Sequence, residues 1–251
     1  MRVCCYTLLL SCFLLLPRAY GQAPRVTRYK SYDGHLYTQH QVDSLVAQVS
    51  QRGQAQGQGA YLDVKDKQLR HDTLVYAYSI LHCSQAMVEA HAKLMRFVGQ
   101  PLPAFELRDL AGKRVTSAAL RGKPLVLNMW FTTCASCIEE MPTLNTVMAD
   151  PANRGIQFVS LTYETPAAVN SFLRKRPFTF RHIPAAKAYC DLFTQAYPLT
   201  LFVDKQGIVQ AIQGPLPFLG PAARSTKAVP AASGDGYLDA TALYSALTDI
   251  R

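Results

Sequence analysis

Leu127-Asn128-Met129-Trp130-Phe131-Thr132-Thr133-Cys134-Ala135-Ser136-Cys137-Ile138-Glu139-Glu140-Met141-Pro142 is the stretch on which the reading of the whole chain turns. The apolar run Pro124 to Met129 reads as a short strand. From Ser136 onward, Ile138, Met141, Leu144 and Met148 recur at helical spacing. Cys134 is therefore expected at a helix N-terminus, where unpaired amide N–H groups and the positive end of the helix dipole favour a thiolate over a thiol. That makes Cys134 the predicted nucleophile. Cys137 lies one turn deeper, within reach of a mixed disulfide on Cys134, so the pair predicts reversible disulfide exchange. Pro142 falls inside the helix, where it removes an N–H and bends the axis.

Other uses of two closely spaced cysteines are weighed against this one. A structural zinc site needs four ligands, and the other cysteines expected in the mature chain, Cys83 and Cys190, stand alone in sequence. A c-type haem attachment needs histidine directly after the second cysteine, where this chain has Ile138. A static structural disulfide is a further alternative, although so short a loop is unusual outside redox sites.

Around this core the residues carry a family resemblance. Gly99-Gln100-Pro101-Leu102-Pro103-Ala104-Phe105-Glu106-Leu107 is followed by Asp109, by Ala111-Gly112-Lys113-Arg114-Val115, and by Leu120-Arg121-Gly122-Lys123-Pro124-Leu125-Val126-Leu127-Asn128-Met129-Trp130. In order and spacing, from about Val98 to Val209, this resembles the TlpA/ResA branch of the thioredoxin superfamily. The resemblance implies an α/β, thioredoxin-like fold, with a central mixed β-sheet flanked by helices. Cys134 matches the attacking cysteine and Cys137 the resolving one. Glu140 matches an acidic residue near the pair that exchanges protons with the thiols. Trp130, the only tryptophan, matches one packed beside the active site and is placed, with Thr133, among the substrate-binding residues, an ordinary core role being the alternative. Pro198 matches a cis-proline facing the disulfide, and Tyr197 before it helps to shape the substrate surface.

The departures from that pattern are specific. Thr133 stands where family members usually carry tryptophan, which removes an aromatic contact surface. The Ala135-Ser136 spacer lacks the proline often found before the second cysteine. Asn128 occupies a position where many thioredoxins bury an aspartate, so proton relay is expected to rely on Glu140. A peroxiredoxin would have threonine three residues before its reactive cysteine, and this chain has Phe131 there.

Residues 1–21 read as a secretory signal: Arg2 is the basic head, Val3 to Leu16 is predominantly apolar, and Ala19-Tyr20-Gly21 supplies small residues for cleavage. The apolar run is short for a membrane span. Leu9-Leu10-Ser11-Cys12 resembles a lipoprotein cleavage box, but Phe13 to Leu16 follow it where polar linker is normal. Cleavage removes Arg2 and Arg18 and no acidic residue, lowering the formal charge from +9 by two, to +7. No dense Lys/Arg run accompanies that charge, so no nucleic-acid partner is expected.

The mature chain divides into an N-terminal extension, 22–97, of uncertain small α/β structure and unknown role, and a thioredoxin-like domain, 98–251. In the extension, Val42, Leu45, Val46 and Val49 predict one amphipathic helix over 39–51. Arg52 to Gly59 reads as a flexible loop, and 72–80 as a strand or buried segment. Its glycines lack the strand and helix context of a phosphate-binding turn. His35, His40, His71, His82 and His91 show no paired ligand spacing, so no metal site is expected. In the main domain, 105–107 and 115–116 predict a hairpin, 156–163 a strand, and 166–175 a helix capped by Thr165. A helix is expected over 185–193, a hairpin from 200–203 and 208–212, a long loop over 214–236 and a closing helix over 239–250. Cys83 and Cys190 are left either as a bridge or as two buried thiols.

The expected function is an exported thiol-disulfide oxidoreductase, periplasmic or otherwise extracytoplasmic. It would reduce disulfides in other proteins, without a bound cofactor, and be reset by an external thiol donor such as a membrane protein. A dithiol oxidase or isomerase is the alternative within redox chemistry. A module binding or delivering a soft metal such as copper through the two thiolates is the alternative from another class.

Overall fold

In a computed structural model of the chain, the described residues are 26–194, 196–220 and 227–251. The expected secretory leader and the lipoprotein-like box lie outside them. The extension is a four-stranded sheet. Strand β1 (Val26–Lys30) pairs with the short β2 (Leu36–Tyr37). After helix α1 (Gln39–Gly53) come two long strands, β3 (Gln58–Arg70) and β4 (Thr73–Ser84), in sheet order β2-β1-β4-β3. Helix α2 (Gln85–Met95) leads out of the sheet.

The single predicted helix is present, begun by a reciprocal cap in which Thr38 Oγ1 accepts from the Gln41 amide and Gln41 Oε1 accepts from the Thr38 amide. The expected loop is shorter than predicted. Helix α1 runs on to Gly53, and the turn is compressed into a 3₁₀ segment closed by Gly57 at φ +67°, a conformation glycine adopts without steric cost. Strand β3 and helix α2 were not predicted, and β4 extends past the expected segment. Strand β3 is a sheet edge whose second half, through Asp66, Lys67 and Gln68, is polar, which interrupts its period.

The main domain opens with the expected hairpin, β5 (Glu106–Arg108) and β6 (Arg114–Thr116), turning at Gly112. Five strands form its central sheet: β7 (Leu125–Met129), β8 (Gln157–Leu161), β9 (Arg181–Ile183), β10 (Leu199–Val203) and β11 (Val209–Gln213), in spatial order β11-β10-β7-β8-β9. Strand β7 is parallel to β8 and antiparallel to β10. All five β7 residues are buried, four of them apolar with Asn128 hydrogen-bonded among them, as in a strand covered on both faces. Its register with β8 is Leu127 to Val159, and Leu127→Ala is expected to cost about 2–5 kcal/mol through lost burial and the cavity left behind.

Helix α3 (Ala135–Ala149) carries the chain from β7 to β8, and α4 (Pro166–Leu173) from β8 to β9. Helix α4 is capped by Thr165, whose hydroxyl accepts from the Ala168 amide. The predicted helix over 185–193 contracts to α5 (Lys187–Cys190). The predicted loop over 214–236 contains further strands. Strands β12 (Phe218–Gly220), β13 (Ala228–Pro230) and β14 (Tyr237–Asp239) form a small sheet ordered β12-β14-β13, each too short to show a period in a Pro- and Gly-rich segment. Helix α6 (Thr241–Ile250) closes the chain, burying Leu243, Ala246, Leu247 and Ile250. Its Asp249 pairs with Lys67 of β3 at 2.5 Å, so the extension touches the main domain. The expected thioredoxin-like arrangement, a mixed sheet flanked by helices, is present. No helix among the described residues is long and apolar enough to cross a membrane.

Candidate active site

Strand β7 delivers Trp130 and the turn Phe131-Thr132-Thr133 to the N-terminus of α3, and Cys134 is the cap residue. Its Sγ accepts from the Cys137 amide at 3.2 Å. Cys134 and Cys137 are joined as a disulfide with Cα atoms 5.2 Å apart. Both residues are buried, Cys134 at 5% exposed and Cys137 at 1%. The positive end of α3 lies where a thiolate would form on reduction, and the Cys137 N–H already points at that sulfur.

Glu140, one turn beyond Cys137, is 3% exposed and belongs to the buried side of α3. Asn128 Nδ2 donates to its Oε1 at 3.2 Å and the Leu216 amide to its Oε2 at 3.4 Å. Asn128 also donates to Thr200 Oγ1 at 2.9 Å, tying the carboxyl to β7 and β10. Burial pushes the Glu140 carboxyl up to about 8, and the two hydrogen bonds act the other way without cancelling it. A carboxyl poised near 8 can hold or release a proton in the range where thiols titrate.

Pro198 is buried and follows a cis peptide bond from Tyr197. The Tyr197 carbonyl accepts from Ser136 Oγ at 3.5 Å, and Ser136 Oγ lies 3.7 Å from Cys134 Sγ. Ser136 thus links Cys134 to the residue before the proline. Thr133 is exposed beside the disulfide. Trp130 is 0% exposed and packs in the same apolar cluster as both cysteines, so it supports the site from beneath and offers no surface to a partner.

Several site-forming residues were missed from sequence. Glu164 receives both the Thr132 amide and the Thr132 hydroxyl at 2.7 Å, clamping the turn before Cys134. Phe131, Tyr163 and Tyr197 form a ring cluster with centroids 5.6 to 5.8 Å apart. Trp130 Nε1 donates to Ser160 Oγ at 3.1 Å. Ser160 Oγ lies 2.7 Å from His182 Nδ1, and His182 Nε2 lies 2.7 Å from the Phe178 carbonyl. Because the carbonyl only accepts, His182 carries its proton on Nε2, and Ser160 donates to Nδ1.

Burial lowers the His182 pKa below its ordinary 6.5. The unfolded chain therefore takes up this proton at higher pH than the folded one. Stability from His182 is full above about pH 6.5 and falls as the solution is acidified toward the folded pKa. Denaturant midpoints measured at pH 7.5 and pH 5 are expected to fall further for the wild type than for His182→Gln.

Neither Cys83 nor Cys190 is disulfide-bonded, which removes the bridge considered between them. Cys190 is buried, hydrogen-bonded with the Tyr197 side chain, and pushed up to about 11 by its burial. It is an unreactive thiol in this state.

The AhpC/TSA family matches residues 98–212. "Thiol-disulfide oxidoreductase ResA" of Bacillus thuringiensis subsp. konkukian is 30% identical over 124 residues, 47% of this chain and 70% of the relative. "Thiol:disulfide interchange protein DsbE" of Pseudomonas fluorescens biotype C is 32% identical over 120 residues, 46% of this chain and 65% of the relative. Among solved structures, a thiol:disulfide interchange protein of the thioredoxin family from Chlorobium tepidum TLS is 26% identical, covering 46% of this chain and 86% of that one, with a TM-score of 0.41.

Proposed function

Since the chain belongs to the ResA-type thiol-disulfide oxidoreductases, we propose that it reduces disulfides of extracytoplasmic proteins through Cys134 and Cys137. The observation that carries this reading is the disulfide seated at the N-terminus of α3, with the Cys137 amide donating to Cys134 Sγ. In the reduced protein, Cys134 thiolate attacks one sulfur of a substrate disulfide. A mixed disulfide forms, and the other substrate sulfur leaves as a thiolate. Cys137, deprotonated with Glu140 as acceptor, then attacks Cys134 Sγ. This restores the intramolecular disulfide and releases the second substrate thiol. Two electrons pass to the substrate, and an external dithiol must return them before the next cycle. Pro198 and Tyr197 present the edge along which an extended substrate segment docks, with Thr133 beside it.

Export is supported by the leader-like residues 1–21. In this reading residues 22–97 form an extension of unassigned role, and 98–251 carry the chemistry. Oxidase or isomerase activity would use the same residues and differ in reduction potential.

Mixing the reduced protein with a disulfide-bonded protein in the absence of other thiols tests the reading. Two thiols are expected to disappear from the Cys134/Cys137 pair for each substrate disulfide opened, as counted by thiol alkylation and mass spectrometry. Substrate reduction with both cysteines still free would refute it.

A further inference from the structure

A surface groove of about 300 Å³, open to solvent on one side and bordering the active-site turn, is lined by Phe131, Tyr163, Lys187, Asp191 and Tyr197. Two of its walls are bonded to the active-site turn. The Phe131 carbonyl accepts from the Cys134 amide at 3.2 Å, and the Tyr197 carbonyl accepts from Ser136 Oγ. Three walls are aromatic and meet one another edge-on or tilted, the ring planes of Phe131 and Tyr197 at 89°. Tyr163, 40% exposed, leaves ring surface open to a partner. The remaining wall is an ion pair, Lys187 Nζ to Asp191 Oδ2 at 2.7 Å, between residues one turn apart on α5 and its cap.

We propose that this groove binds a neutral aromatic side chain of the substrate protein, close in sequence to the cysteine under attack, and so selects which disulfides are reduced. The inference rests on the oxidoreductase reading of the same disulfide. Ring walls reward a flat ring through edge-to-face and offset contacts that an aliphatic chain cannot match. A charged side chain gains little, because attraction to one member of the Lys187–Asp191 pair is offset by repulsion from the other. The volume suits a large side chain, and a small one would leave the ring surfaces hydrated. Thr133 withdraws an aromatic surface from the entrance, and the three rings supply one on the neighbouring wall. An extended segment rises about 3.3 Å per residue, so three residues on either side of the attacked cysteine reach about 10 Å each way.

The test uses a neutral peptide carrying one disulfide, with Tyr, Leu, Lys, Asp or Ala placed in turn at each of the three positions on either side of one cysteine. Reduction by the reduced full-length protein is followed for each. At one position, Tyr is expected to exceed Ala at least tenfold in kcat/KM, and to exceed Leu, Lys and Asp clearly. In Tyr163→Ala that Tyr/Ala ratio is expected to collapse toward one; being a ratio, it is insensitive to the fraction of folded protein. Reduction of all peptides at similar rates would overturn the inference and leave the redox reading standing, as would a preference for Lys, Asp or Leu. Failure to reduce any peptide, or a small aliphatic disulfide included as control, would overturn both.

Discussion

Cys137→Ser, reduced and mixed with a disulfide-bonded substrate protein, is expected to halt as a covalent adduct through Cys134, with turnover reduced at least about a thousandfold. The asymmetry of the site dictates this. Cys134 caps α3, where the Cys137 amide and the helix dipole stabilise a thiolate. Cys137 lies inside the helix one turn on, within bonding distance of Cys134. A serine hydroxyl in its place cannot displace the substrate thiol, so the first bond forms and the second exchange does not. The reciprocal Cys134→Ser protein is expected to lose turnover as severely and to yield no adduct. Non-reducing mass spectrometry distinguishes the two. An adduct through Cys137 in the Cys134→Ser protein would reverse the assigned roles.

Glu140→Gln is expected to change the pH dependence of both activity and stability. In the fold the carboxyl is pushed up to about 8 by burial, against 4.5 for the free group. The folded state therefore holds a proton that the unfolded chain has released over the interval from about pH 4.5 to 8. Stability is greatest below 4.5 and falls as pH rises through that interval, by an amount on the order of 3 to 5 kcal/mol at full ionisation. Glutamine carries no charge at any pH, so the variant's stability relative to wild type should improve from pH 5 to about pH 8 and level off above it. Its amide group meets the Leu216 N–H as a second donor, which offsets about 1 kcal/mol of that gain at every pH.

For activity, loss of the proton acceptor is expected to slow resolution of the mixed disulfide by about 10²-fold and to flatten its pH profile near 8. Stopped-flow measurement of that step across pH 6 to 9 checks it. A variant with the wild-type profile would remove Glu140 from the proton path and leave it as a buried packing residue.

The parts of the fold legible in sequence are those where local chemistry and tertiary packing agree. Strand β7 is an apolar run because both its faces are covered, and the cysteines follow where the strand must turn into α3. Thr165 announces α4 because its hydroxyl is needed by the Ala168 amide wherever the helix packs. The extension was harder to read. Strand β3 lies at a sheet edge and carries Gln, Asp and Lys, so its pairing with β4 leaves little periodic trace.

In the site, Cys134, Cys137 and Glu140 share one helix and could be found together. Glu164 could not, because its bonds to Thr132 span 32 residues. Nor could the Trp130–Ser160–His182 chain, which depends on β8 and β9 pairing Ser160 with His182. The aromatic groove has the same origin. Phe131, Tyr163 and Tyr197 follow or precede three different strands, and only the strand order of the sheet brings their rings to one end.

The central claim, that Cys134 and Cys137 form a reducing pair, is tested most directly by its equilibrium reduction potential, obtained by thiol trapping across defined redox buffers. The account predicts a value close to that of thioredoxin, about −270 mV. A value near −120 mV would make the protein an oxidant and contradict the account, as would a pair that never equilibrates with the buffers.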